Sequence, residues 1–135
     1  MAHQISPNLV STDDIRPYRA VAATGSADNA CREANAIDIC LGVAQGDTKS
    51  HDSANHAEDG DQVALQPGNV VLIEAGGAIT RSGGVMTDSV GRGVAATPTG
   101  TANIYHIGVA LESAGGAGEI IRVFWQPLAV RPALS

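Results

Sequence analysis

Apolar residues in this chain fall into short runs closed by glycine, proline or Asx residues. No long segment repeats its apolar positions at the helical period of roughly 3.6, so any helix should be short. Tyr18-Arg19-Ala20-Val21-Ala22 predicts a strand, begun by Pro17 and stopped by Gly25-Ser26-Ala27-Asp28-Asn29. Cys31 to Ala36 is ambiguous, with room for one helical turn. Residues 37 to 44, rich in branched side chains and closed by Gly46-Asp47, predict the next strand. Strands are expected again over 62–65 and 70–74. Between them Pro67-Gly68-Asn69 carries the type II turn signature, because glycine tolerates a positive φ. Glycine pairs at 76–77 and 83–84 bracket a short extended piece, and residues 90–95 form another small candidate strand. After a Pro/Gly/Thr loop over 97–102, long strands are predicted over 103–112 and 119–126, joined by a Gly-Ala turn. This punctuation predicts an all-β fold, a small β-barrel or β-sandwich of short antiparallel strands. The polar, aperiodic stretch 1–14 reads as an extended N-terminal arm, 15–126 as the β-rich domain, and 127–135, with Pro127 and Pro132, as an irregular C-terminal tail.

One block recurs. Leu41-Gly42-Val43-Ala44 returns as Ile107-Gly108-Val109-Ala110, and each copy is followed by a loop and then Gly-acid-x-hydrophobic, Gly60-Asp61-Gln62-Val63 and Gly118-Glu119-Ile120-Ile121. Each copy reads as strand, loop, strand, with no catalytic group in either. The loop in the first copy is long and polar (48–59), and that in the second is a tight turn, so the two should differ in use.

Composition sharpens this picture. At 135 residues the chain reads as one domain with enough buried surface for a core. That core must be built from Ala, Val, Ile and Leu, because Tyr18, Tyr105, Phe124 and Trp125 are the only aromatics. A thin core invites completion by a second subunit. The net charge is −6, Lys49 is the sole lysine and the arginines are scattered, which argues against nucleic-acid binding and against anionic membranes. No apolar run approaches the roughly 20 residues of a membrane span. Met1-Ala2-His3-Gln4 lacks the features of a signal peptide, which predicts synthesis in a cytoplasm. In that reducing compartment Cys31 and Cys40 are expected as free thiols.

Candidate chemistry is sparse. His51, Asp52, His56 and neighbouring acids share one loop, but metal ligands need rigid support and a second shell, so a solvated loop is the expectation. His106 lies in a strand without an evident acid/base partner. Asp61 and Asp88 stand near turns, where aspartate is at home. There is no Gly-x-Ser-x-Gly elbow and no phosphate-binding Gly-Lys-Ser/Thr. Residues 70–85 have the turn pattern of small biotinyl or lipoyl barrels, yet the only lysine is elsewhere, which removes the carrier function. No catalytic, cofactor-binding or metal-binding residue is assigned, and an enzyme is not expected.

The ordered set Ile15-Arg16-Pro17-Tyr18-Arg19-Ala20-Val21, Leu41-Gly42-Val43-Ala44, Gly60-Asp61-x-Val63-x-Leu65, Val71-x-Ile73-Glu74-Ala75-Gly76-Gly77-Ala78-Ile79, Thr87-Asp88-x-x-Gly91-Arg92-Gly93-Val94, Ile107-Gly108-Val109-Ala110-Leu111-Glu112 and Gly118-Glu119-x-Ile121-x-Val123 resembles the capsid cement (head decoration) proteins of tailed bacteriophages. The resemblance spans roughly residues 15 to 125 and rests on order and spacing rather than on any one motif. It implies a β-rich structural virion protein, made in the bacterial host cytoplasm, that binds the outer surface of a phage head and stabilises the shell of major capsid protein. The partners it implies are that capsid protein and further copies of the chain itself, a homotrimer, with a dimer as runner-up. Candidate contacts to capsid or subunit lie toward the arm and the tail: Pro7, Leu9, Val10, Ile15, Arg16, Tyr18, Arg19, Trp125, Pro127, Leu128 and Arg131. The alternative is a ligand-binding β-domain of carbohydrate-binding type, which would need Trp125 and Tyr105 on one face. An enzyme would require His51, His56 and an acid to converge on a metal.

Overall fold

A computed structural model describes residues 9–36, 38–96 and 104–130, with the backbone alone for residues 104 and 128–130. All regular structure among these residues is strand: β1 (Leu9–Ser11), β2 (Ala20–Ala23), β3 (Ala30–Glu33), β4 (Cys40–Val43), β5 (Gln62–Val63), β6 (Val70–Glu74), β7 (Gly84–Thr87), β8 (Gly93–Ala95), β9 (Ile104–Ala110) and β10 (Ile120–Val130). They form two five-stranded sheets, ordered β4-β2-β3-β1-β5 and β6-β10-β9-β7-β8. The ladders are antiparallel apart from β1 with β3.

Each sheet closes on itself. In the first, the outer strands β4 and β5 meet at an Ala44–Leu65 bridge, flanked by Gln45 N–H donating to Ala64 O (3.0 Å) and Gln66 N–H to Val43 O (2.8 Å). In the second, β6 and β8 meet at an Ala75–Gly93 bridge, with Gly76 N–H donating to Gly93 O (2.8 Å). Closure shortens the unpaired edges that would otherwise recruit foreign strands. The fold is therefore two small barrels in tandem, and both have the same cyclic strand order once β1–β5 are matched to β6–β10.

The match continues residue by residue. Ser11 N–H donates to Asp61 O while Gly60 N–H donates to Ser11 O; Ala75 and Glu119 with Gly118 repeat this pair of bonds. The Ile15–Ala57 bridge corresponds to Ile79–Ala114. Three residues after each bridged isoleucine the chain takes a left-handed conformation at a non-glycine residue, Tyr18 (φ 60) and Ser82 (φ 71). The Ala20–Val43 and Val21–Gly42 pairs correspond to Gly84–Val109 and Val85–Gly108. Ala34 N–H donates to Ala20 O as Ala96 N–H does to Gly84 O. The repeated Leu-Gly-Val-Ala block is thus the same strand of two duplicated barrels. Its glycine is needed at the second seam, where a Cβ on Gly108 would strike the backbone of Phe124; a Cβ on Gly42 would meet only the movable tip of Leu65, 2.9 Å away. The two Gly-acid turns also agree. Gly60 and Gly118 both have positive φ (87 and 96), and the acid that follows each folds back to accept N–H bonds, Asp61 from Glu58 and Glu119 from Gly115 and Gly116.

Burial follows the duplication. Leu9, Ile15, Val21, Cys31, Ala44, Ala57 and Val63 fill the first barrel with Leu65, and Ile73, Ile79, Val85, Ala110, Ala114, Ile121 and Val123 occupy the corresponding interior of the second. Ala20, Ala22, Ala34, Cys40 and Val43, on the outer wall of the first barrel, join the second barrel's core cluster with Val71 and Ile107, so the two barrels share one interface. That interface is tied by Ala20 N–H to Gly91 O (2.8 Å), Glu74 N–H to Tyr18 O (3.0 Å) and Thr87 Oγ1 to Asn35 O (3.1 Å).

Several elements depart from the sequence reading. The arm assigned to residues 1–14 is cut short, because Leu9–Ser11 is a strand paired on both sides and Ile15 is buried. Cys31 to Ala36, ambiguous in sequence, contributes to β3 rather than to a helical turn. The piece between the glycine pairs holds only the Ile79 bridge, and the strand begins at Gly84. The tail does not become irregular at Pro127. Strand β10 runs to Val130 and takes up the proline at a register shift between Trp125 and Leu128. Expectations for residues 1–8, Ile37, 97–103 and 131–135 lie outside the described residues.

Candidate functional site

Among the sequence-derived contact residues, Leu9 and Ile15 are buried in the first barrel. Arg19 is also buried. Its guanidinium donates to Val90 O (3.0 Å) and pairs with Glu74 (3.1 Å), so it ties the barrels together rather than facing outward. Arg16 is exposed and holds Glu33 through two nitrogens, at 3.0 and 2.8 Å. Val10 and Tyr18 are half-buried, and Tyr18 lies across Gly46 so closely that a Cβ there would collide with the ring. Trp125 packs half-buried on the second core, and Pro127 is exposed. Leu128 pairs through its backbone with His106. Pro7 and Arg131 lie outside the described residues. These side chains do not converge on one site.

The polar loop is better ordered than its composition suggests. His56 is buried; its Nε2 accepts the Ala64 N–H (3.0 Å), leaving Nδ1 to donate to Asp47 O (2.9 Å). Lys49 bridges Asp61 (2.7 Å) and Glu58 (3.3 Å). The Asn55 amide and then Lys49 hold Glu58 below the ordinary carboxylate range, and Lys49 with the Glu58 N–H does the same for Asp61. His51 is exposed beside Asp52, apart from His56. Among the described residues no group of three or more His, Cys, Asp or Glu side chains is placed to hold a metal ion. Cys31 and Cys40 are free and buried, and burial pushes both thiols up to about 11.

Another turn organises the barrel junction. Burial opposes ionisation of Asp88, but N–H bonds from Val90 (3.0 Å) and Arg92 (2.9 Å) and the Arg92 guanidinium (2.8 Å) outweigh it and hold the carboxyl below its usual value. This fixed turn presents Gly91 O to the first barrel.

The surface feature that the sequence reading missed is apolar. Val70 pairs with Phe124, Phe124 with Val109 and Val109 with Gly84, so these four stand in one row across the outer wall of the second barrel. Val70 (49% exposed), Phe124 (39%) and Val109 (38%) remain open, with Leu72 (37%) one pleat along β6. A signal was present in sequence: Val70-Val71-Leu72-Ile73 is apolar at both parities, the mark of a strand covered on both faces.

The fold defines a class, tandem five-stranded β-barrels related by duplication. No family model matches the chain, and no curated protein matches it. Among solved structures it is similar to the crystal structure of the head fiber gp8.5 N base in bacteriophage phi29, with 21% sequence identity and a TM-score of 0.67 over 90% of this chain and 93% of that one. Coverage of this extent takes in both barrels and shows a shared fold.

Proposed function

We propose that this chain is a structural protein of a phage virion that binds the outer surface of the head and stabilises its shell of major capsid protein. The observation that carries this reading is the shared fold with a head fiber base over nine-tenths of the chain. The sequence resemblance to head decoration proteins points the same way independently. The physical character of the molecule supports it. Each sheet curls until its outer strands meet at a bridge, most buried residues are apolar packing residues, and the charged side chains largely pair with one another on the surface. Repeated placement on a symmetric lattice turns modest individual contacts into a strong total, because each additional site binds at high effective concentration. The protein acts without a cofactor and without catalysis, and is made in the host cytoplasm before addition to the head.

The test is compositional. Particles purified from the phage or prophage that encodes the chain are analysed by quantitative mass spectrometry. The expected result is the chain in a fixed, high ratio to the major capsid protein. Particles that lack it would overturn the proposal.

A further inference from the structure

The two barrels finish the same seam with different acceptors. By the register of the duplication, Ala44 and Leu65 correspond to Ala110 and Val123, and Ala64 corresponds to Arg122. The backbone bond beside each pair is the same: Gln45 N–H donates to Ala64 O (3.0 Å) and Leu111 N–H to Arg122 O (2.9 Å). The N–H of that strand residue goes to a side chain each time. Arg122 N–H donates to Glu112 Oε1 (2.8 Å), and Ala64 N–H donates to His56 Nε2 (3.0 Å). A carboxyl group can accept such a bond whether or not it is ionised, whereas an imidazole nitrogen accepts only while the ring is neutral. The seams also differ in length. In the second barrel the seam is a ladder running from Val123↔Ala110 to Val130↔Ile104, and in the first it is the Ala44–Leu65 bridge with its flanking bonds. The shorter seam is therefore the one that relies on a histidine.

We propose that His56 is a proton-sensitive latch on the closing seam of the first barrel: the neutral ring holds the 47–56 loop against the Ala64 strand, and protonation releases that hold. Two backbone partners fix the ring's state. Asp47 O only accepts, so Nδ1 carries the hydrogen (2.9 Å), and Ala64 N–H only donates, so Nε2 keeps its lone pair (3.0 Å). A proton on Nε2 would set two donors against each other around a side chain that is 4% exposed, where water does not readily replace the lost partner. Each segment packed on the ring brings its own charges. On the 45–50 segment the Asp47 carboxylate stands 3.3 Å from Nδ1 and favours the proton, though at 69% exposure its pull is screened. Lys49 on the same segment is engaged by Glu58 and Asp61, which flank the ring's own loop and β5. At the Ile15 bridge, where His56 N–H donates to Ile15 O, Asp14 is exposed and Arg16 is paired with Glu33. Tyr18 lies across Gly46. Asp47 thus makes proton uptake attainable, and Ala64 makes it disruptive. The latch does not depend on the virion role.

Amide hydrogen exchange on the full chain, read by NMR as protection relative to each residue's intrinsic rate, tests the latch between about pH 8 and about pH 5, the range in which histidine side chains change charge. The imidazole nitrogen shifts of His56 are followed in the same samples. Ala64 is expected to lose about tenfold or more of its protection as Nε2 gains its proton, while Arg122, bonded to Glu112, keeps its own. In His56→Gln the protection of Ala64 should no longer follow pH. Constant Ala64 protection while the ring protonates, or a ring that stays neutral throughout, would overturn the proposal. So would an equal loss at Arg122, which marks general loosening in acid, or an unchanged pH dependence in folded His56→Gln. The wild-type measurements decide the matter even if that variant does not fold.

Discussion

Ile15→Ala and Ile79→Ala test the duplicated architecture and the coupling of its halves. The two isoleucines occupy the same bridge position in the two barrels and are both buried. Truncation to alanine removes three carbons, about 2.4 kcal/mol at about 0.8 kcal/mol each. A cavity term adds to this, because closed barrels lined by Val21, Val63 and their counterparts cannot collapse fully, bringing the expected loss to about 3–4 kcal/mol. With a urea dependence of about 2 kcal/mol per M, each substitution should lower the midpoint by about 1.5–2 M. Trp125 packs on the second barrel and is the only tryptophan, so its fluorescence reports that half. The shared interface of Ala20, Val43, Val71 and Ile107 predicts one cooperative transition, in which Ile15→Ala, in the other barrel, shifts the Trp125 signal as much as Ile79→Ala does. An unchanged Trp125 transition in Ile15→Ala would refute the coupling.

Gly60→Ala and Gly118→Ala should each cost about 1 kcal/mol in the same denaturation assay, because both positions hold positive φ in open space and the penalty is purely conformational. Asp88→Asn should destabilise by about 1–2 kcal/mol at neutral pH through loss of charged hydrogen bonds. Asp88 titrates low in the folded state, so its contribution is complete above the unfolded value of about 4 and fades as pH falls through the native value. The wild-type advantage over Asp88→Asn should therefore be constant above about pH 5 and shrink in acid. Cys31 and Cys40, buried with thiols raised to about 11, should resist thiol reagents at pH 8 in the folded protein and react fully in urea; fast native labelling would contradict their burial.

The sequence made the repeated strand legible because its constraint is local. The Gly108 seam excludes a side chain by contact with the Phe124 backbone, and the Gly60 and Gly118 turns favour glycine through their positive φ. Strands β1 and β3 were hidden for the opposite reason. Leu9-Val10-Ser11 and Ala30-Cys31-Arg32-Glu33 are too short and too polar to carry an alternation, and they become strands by pairing with each other and with β5 and β2 on their other sides. Gly84 looked like a turn residue, but it is the first residue of β7, where the His106 ring lies in the space its Cβ would take. Arg19 looked like a surface contact, yet Glu74 and the Val90 carbonyl, far along the chain, take its two terminal nitrogens in the interior. The Val109–Phe124 wall was legible only in part: Val70-Val71-Leu72-Ile73 is apolar on both faces, but which outer face lies open depends on how the two halves pack.

The virion role is tested most directly by cryo-electron microscopy of the heads assembled with and without this chain. The account predicts density for two stacked five-stranded barrels on the outer surface of the wild-type head, absent from heads that lack the chain. Identical density on both heads, or barrel density only inside the shell, would contradict it.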